Sequence, residues 1–107
     1  MILKAGVRLK DLQPQMVLAA MVVDEIYGDT ECVITSANDG KHGGGEKPSK
    51  HFQGCALDFR THNYSNNKGE LRDRIKAALG QDFDVVLEAE GTPNEHLHVE
   101  YDPKETV

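Results

Sequence analysis

The sequence lacks three features that would each point to a broad class of protein. No stretch approaches the roughly 18 to 20 apolar residues of a membrane-spanning helix. Twelve Lys and Arg stand against eighteen Asp and Glu, which gives a formal charge of -6, and the basic residues are scattered along the chain. We therefore expect neither a membrane nor a nucleic acid as partner, because binding to DNA or RNA needs clustered positive charge.

Cysteine is also scarce, with Cys32 and Cys55 as the two in the chain. Both lie in apolar, strand-like segments, and neither has the C-x-x-C spacing that is typical of metal or redox sites. We expect reduced, buried thiols here in preference to a disulfide.

The length and the N-terminal residues predict one domain without a targeting segment. A chain of 107 residues, of which 38% are hydrophobic and 28% charged, is ordinary for a single globular domain, here residues 1–107. The opening residues, "MILKAGVRLKDLQ", lack the apolar run and the cleavage site of a signal peptide. We therefore expect a protein that stays in the cytoplasm until something else releases it.

Hydrophobic periodicity predicts two helices and four strands around one long loop. The helices are expected over residues 12–27 and from an N-cap at Asn67 to Gly80. The strands are expected over residues 31–37, 55–60, 83–90 and 96–101. Residues 38–50 hold four glycines and a proline and predict a loop. This order predicts an α+β fold with a small, largely antiparallel four-stranded sheet and helices packed on one face.

Polar side chains recur in the second and fourth predicted strands. The stretch "SKHFQGCALDFR" holds His51 and Asp58, and "EHLHVEY" holds His96 and His98. Because side chains alternate along a strand, Asp58 and both histidines would share the open face of a common sheet. His51 would reach that face through the turn at Gly54.

Two imidazoles and one carboxylate are the ligand number of a catalytic zinc site, whose fourth position is left for water. Glu95 stands three residues before His98, where a carboxylate can take a proton from that water. The alternative without a metal is a solvated sheet face on which a histidine and an aspartate form a surface hydrogen-bonding pair. The two elements together favour the metal site.

At these residues the sequence resembles the zinc D-alanyl-D-alanine metallopeptidase family. That family includes VanX-type dipeptidases, D,D-carboxypeptidases and phage L-alanyl-D-glutamate endolysins. Its pattern S-x-H-x-x-G-x-A-x-D is met by Ser49, His51, Gly54, Ala56 and Asp58. Its second pattern, an acidic residue three before a histidine on a strand, is met by Glu95 and His98.

The resemblance implies a hedgehog or D,D-peptidase-like fold with a Zn²⁺ site on the sheet face away from the helices. It implies that His51, Asp58 and His98 bind the zinc and that Glu95 is the general base for attack by zinc-bound water. Ser49 would contact the substrate or be a plain turn residue, and His96 would lie beside the ligands or face the substrate. The implied substrate is a peptidoglycan stem peptide, and the implied setting is a phage or prophage lytic domain acting as a monomer.

One departure from the family concerns positive charge near the substrate. Family members commonly carry an arginine shortly after the first strand, whereas the corresponding "TSANDGKH" has none. Lys41 or His42 would supply that charge from the glycine-rich loop, or both are simply solvated. Two other interpretations stay open: a non-catalytic zinc-binding module of the same fold, and a small structural protein with incidental histidines.

Overall fold

A computed structural model describes residues 1–37 and 54–104 of the chain. In chain order the elements are β1 (Ile2–Leu3), α1 (Pro14–Tyr27), β2 (Val33–Ser36), β3 (Ala56–Arg60), α2 (Lys68–Leu79), β4 (Phe83–Glu88) and β5 (His96–Tyr101). The five strands form one sheet in the order β1-β2-β3-β5-β4. The predicted α+β class is confirmed.

The sheet has five strands, so the prediction of four strands is wrong. The missed strand is β1, which pairs in parallel with β2, whereas the other three pairings are antiparallel. Two residues are too short to show a period, and Ile2 and Leu3 are 47% and 43% exposed. Their sequence therefore shows no alternation of buried and exposed residues. The parallel pairing of β1 with β2 makes the sheet a mixed one.

Local signals place the ends of the helices. α1 begins at Pro14. Proline has no backbone N–H, and it is tolerated in the first turn because N–H groups there have no hydrogen-bond partner within the helix. Before α2, the Asn67 side chain accepts a hydrogen bond of 2.9 Å from the backbone N–H of Glu70. This confirms the predicted N-cap, which satisfies one of the four N–H groups that a helix start leaves unpaired.

Both helices contribute to one hydrophobic core on a single face of the sheet. Leu57 and Phe59 of β3 are fully buried in that core, as are Leu97 and Val99 of β5. The helical members of the cluster include Met16, Ala19, Val23, Leu71 and Ile75. Because strand side chains alternate, the residues between the buried ones lie on the opposite face, away from the helices. This sheet face is called the open face below.

The residue at position 54, just before β3, has to be a glycine for a steric reason. Gly54 has a φ of +72°, and a Cβ built on it would collide with the backbone carbonyl oxygen of Asp11. The Gly54 carbonyl in turn accepts a 2.9 Å hydrogen bond from the N–H of Gln13. The backbone before α1 therefore packs directly against Gly54, and a side chain at position 54 would push the two segments apart.

Neither cysteine takes part in a disulfide, and no helix within residues 1–37 and 54–104 has the length and apolar character to cross a membrane. Cys32 is buried, and burial, together with the charge of Asp24, raises the pKa of its thiol to about 12. Such a thiol stays protonated and unreactive at neutral pH.

Candidate metal and catalytic site

Asp58 and His98 lie directly opposite each other on the paired strands β3 and β5. The Nδ1 atom of His98 is 2.8 Å from Oδ1 of Asp58. Both side chains project from the open face, because their neighbours Leu57, Phe59, Leu97 and Val99 fill the core. The alternation in the sequence predicts this face correctly, and the register of the strands sets the contact.

Two further side chains from β4 and β5 approach this pair. The Nε2 atom of His96 is 3.8 Å from Oδ1 of Asp58 and 3.6 Å from Oε1 of Glu88. The same Glu88 oxygen is 3.5 Å from Nδ1 of His98. Asp58, Glu88 and His96 can each offer a ligand atom within 4.8 Å of the others. These four side chains thus bring two carboxylates and two imidazoles together across three adjacent strands.

Glu88 belongs to neither sequence motif and is not among the site residues predicted from the sequence. The alternation in β4 places Val85 and Leu87 towards the core and Glu88 on the open face. Its position near the histidines depends on the β4–β5 register, in which Glu88 pairs with His96. That register is a property of the folded hairpin, so the local pattern of the sequence does not reveal it.

His98 carries a proton when no metal is bound. Burial alone would lower its pKa, but hydrogen bonds to Asp58 and Glu100 and the nearby negative charges raise it to about 9. Its Nε2 atom is 3.1 Å from Oε1 of Glu100. A histidine binds metal as the neutral imidazole, so a metal ion at this position has to displace a proton.

The chemistry of these donors fits zinc, which binds imidazole nitrogens and carboxylate oxygens. Ligand atoms about 2.0–2.1 Å from a tetrahedral ion lie roughly 3.3 Å from one another. The 2.8 Å between Asp58 and His98 is a hydrogen-bond length. The two atoms are thus about half an ångström closer than two ligands of one tetrahedral zinc ion.

Glu95 lies at the start of β5, where three donors hold its carboxylate. Its Oε1 atom accepts hydrogen bonds of 2.6 Å each from Thr61 Oγ1 and Lys68 Nζ. Its Oε2 atom accepts one of 2.9 Å from the backbone N–H of Gly91. The residue is only 6% exposed. These bonds, led by the one from Gly91, lower the pKa of Glu95 to about 2.

Thr61 and Lys68 are hydrogen-bond donors to Glu95 that neither motif predicts. Thr61 follows β3 and is fully buried, and Lys68 is the first residue of α2. A carboxylate with a pKa of about 2 is always charged at neutral pH and is a weak proton acceptor while all three donors remain. The surroundings of Glu95 therefore stabilise its charge strongly.

A cavity of about 340 Å³ opens on the same sheet face. Its lining includes Asp58, Glu95 and His96, together with the basic residues Lys4 and Arg60. This cavity, called the open-face cavity below, is lined by Asp58 of the first motif and Glu95 of the second, whereas His98 is not part of its lining. Its lining is mainly polar, unlike the mostly apolar lining of a typical small-molecule pocket.

Four of the predicted site residues lie outside the described residues: Lys41, His42, Ser49 and His51. Comparisons of the chain with protein-family models, with curated proteins and with solved structures found no match. A function is therefore inferred from the two sequence motifs and from the side chains that the fold brings together.

Proposed function

We propose that the protein is a zinc metallopeptidase that hydrolyses amide bonds in peptidoglycan stem peptides, of the D-alanyl-D-alanine or the L-alanyl-D-glutamate type. One observation carries the proposal. Asp58 and His98 come from two motifs 40 residues apart, and their side chains lie 2.8 Å from each other beside a cavity. A solvated surface pair would not require both motifs of one peptidase family to meet at one point.

His51, Asp58 and His98 would hold the zinc ion. When bound, zinc makes water acidic and polarises a carbonyl group. Asp58 and His98 would supply two of the three protein ligands of such a site, and the first motif assigns the third to His51. The carboxylate of Glu88 and the imidazole of His96 border the pair, and both are positioned to orient the ligands or to face the substrate.

Glu95 would take the proton of the attacking water. To accept a proton it has to exchange one of its three hydrogen bonds, since all three favour its charged form. Thr61 is fully buried and the N–H of Gly91 belongs to the backbone, so neither donor moves readily. The Lys68 side chain is 28% exposed and can turn into solvent. In this proposal Lys68 releases Glu95 when the substrate binds.

Substrate contacts would come from His96 in the cavity lining and, as the resemblance implies, from Ser49 and from Lys41 or His42. Ser49 stands two residues before His51 in the motif, and Lys41 and His42 are cationic candidates in the glycine-rich segment. A cation near the reacting carbonyl stabilises the negative charge that develops on its oxygen.

The test is hydrolysis by the zinc-loaded full chain, followed by mass spectrometry of the products. The two substrates are acetyl-L-lysyl-D-alanyl-D-alanine and a stem peptide that carries the L-alanyl-D-glutamate bond. Glu95→Gln should lower kcat by at least about 100-fold, the usual contribution of a general base, and keep its zinc. The matched control is Glu90→Gln, which removes the same charge from an exposed residue and should keep full activity. Full activity in Glu95→Gln would remove Glu95 from the role of base.

A second candidate is a non-catalytic zinc-binding module of the same fold. The observation that favours it is the environment of Glu95, whose carboxylate is engaged by three donors and has a pKa of about 2. This candidate predicts bound zinc but no cleavage of either peptide. A structural protein with incidental histidines predicts no zinc at all, and chelators would then leave its Tm unchanged.

A further inference from the structure

Three side chains from neighbouring strands converge on the open face, and the resemblance gives two of them, Glu88 and His96, no metal to bind. Glu88 of β4 and His96 of β5 are paired across the two strands, and Asp58 comes from β3 on the other side of β5. The Nε2 atom of His96 is 3.6 Å from Oε1 of Glu88 and 3.8 Å from Oδ1 of Asp58. Asp58, Glu88 and His96 are called the Glu88 triad below.

The ring of His96 has the orientation of a metal ligand. Its Nδ1 atom is 2.7 Å from the backbone carbonyl oxygen of Asn94. Because a carbonyl oxygen only accepts hydrogen bonds, Nδ1 carries the hydrogen and the neutral ring has its lone pair on Nε2. Histidines that bind metals usually donate their other ring N–H in this way, to a backbone carbonyl or a carboxylate. Nε2 is also the ring atom that approaches Asp58 and Glu88.

The distances within the Glu88 triad suit ligands of one ion better than hydrogen bonds. At 3.6 and 3.8 Å, both contacts of the His96 Nε2 atom exceed the roughly 2.7–3.2 Å of an N–H···O hydrogen bond. Ligands about 2.0–2.2 Å from one zinc ion lie roughly 3.3–3.8 Å apart at angles between tetrahedral and trigonal. His98 differs, because its two ring nitrogens lie 2.8 Å from Asp58 and 3.1 Å from Glu100. Both distances are those of hydrogen bonds.

We propose that Asp58, Glu88 and His96 form a second divalent-metal site, joined to the proposed zinc site through the carboxylate of Asp58. Two carboxylates balance the charge of a divalent ion, and zinc accepts both carboxylate and imidazole donors. A carboxylate has two oxygens, which allows it to bind two ions, and the ions of two-metal sites lie about 3.5–4 Å apart. The inference rests on the proposed function for the first ion alone, since the Glu88 triad includes neither His51 nor His98.

The second ion should bind more weakly than the first. Lys4 and Arg60 line the open-face cavity beside His96, so their positive charges and that of the first ion all oppose another cation. The Glu88 side chain is 45% exposed, and water screens its attraction to a metal. We expect the dissociation constant of the second ion to be at least about 100-fold higher than that of the first. Dialysis should therefore remove the second ion and leave the first.

The experiment titrates zinc into the metal-free full chain by calorimetry, in a buffer that does not bind zinc. The native protein should show one tight and one weak binding event. Glu88→Gln and His96→Ala should lose the weak event and keep the tight one, whereas His98→Ala should do the reverse. Nitrogen NMR of the histidine rings is the second measurement. The weak event should shift the Nε2 resonance of His96, while Nδ1 keeps its hydrogen.

Glu90→Gln is the matched control, since it removes the same charge as Glu88→Gln from an exposed residue outside the triad and should keep both events. The second site is overturned if the native protein shows no weak event, if that event survives in Glu88→Gln and His96→Ala, or if it leaves the His96 resonance unchanged. Loss of the weak event from His98→Ala also overturns it, because no separate site would then exist. A weak event without hydrolysis of either peptide would sustain the second site and contradict the proposed function alone.

Discussion

The Oδ1 atom of Asp58 lies 2.8 Å from the Nδ1 atom of His98, where β3 and β5 pair across the middle of the sheet. Because the pKa of His98 is raised to about 9, this contact joins an imidazolium to a carboxylate at neutral pH. A buried ion pair of this kind is weak evidence for a purely stabilising role. The same two groups, once the proton is lost, are a nitrogen and an oxygen donor 2.8 Å apart.

The two histidines of β5 should respond differently to substitution. We expect His98→Ala to abolish stoichiometric zinc binding and His96→Ala to retain it, because only His98 completes the motif with Glu95 and directly contacts Asp58. The measurement is zinc per chain after dialysis against a slight excess of metal. The reverse result would assign the ligands to Asp58, Glu88 and His96, which also lie close enough to share an ion.

Glu95 should make the free energy of unfolding decrease as the pH falls into the acid range. Its pKa falls from an ordinary 4.5 to about 2 on folding, so its contribution is fully present above pH 4.5 and is lost as the pH falls through 2. The contribution is at most about 3 kcal/mol, since one pKa unit corresponds to about 1.4 kcal/mol and solvent around the partly exposed Lys68 screens its share. Urea unfolding at pH 7, 4 and 3 should show a steeper loss of stability in the native protein than in Glu95→Gln.

The control for this titration is Glu90→Gln, which changes an exposed glutamate and should leave the native slope intact. Parallel slopes for the native protein and Glu95→Gln would contradict the strong stabilisation of the Glu95 charge by Gly91, Lys68 and Thr61.

Gly54 should tolerate no side chain. In Gly54→Ala the new methyl group meets the carbonyl oxygen of Asp11 and the residue keeps a positive φ, so we expect a loss of roughly 2–4 kcal/mol in the free energy of unfolding. Gly6→Ala is the control, because Gly6 also has a positive φ but has open space around it. Its cost should stay at about 1–2 kcal/mol. Equal costs would mean that the contact between Asp11 and Gly54 is unimportant.

Features that depend on short-range periodicity could be predicted from the sequence. The bounds of β5 agree with the predicted residues 96–101, and α2 begins directly after the predicted N-cap, Asn67. The placement of Asp58 and His98 on one face follows from the alternation of apolar and polar side chains in β3 and β5. Each of these features is encoded within a stretch of a few residues.

Features that depend on contacts between distant segments could not be predicted. The strand β1 has two residues and acquires its identity only by pairing with β2. Glu88 joins the open face through the register of β4 against β5, and Lys68 reaches Glu95 from the start of another helix. In the sequence these residues look like ordinary solvated charges. Only the tertiary fold brings Glu88 to the histidines and Lys68 to Glu95.

Elemental analysis tests the central claim most directly. The native full chain, reconstituted with zinc and dialysed, would be measured beside the double variant His51→Ala, Asp58→Ala and beside Glu90→Gln. We predict about one zinc per chain in the native protein and in Glu90→Gln, and almost none in the double variant, because a site left with one ligand loses its affinity. Absence of zinc from the reconstituted native protein, or an equal content in the double variant, would contradict the metal site and the peptidase function that depends on it.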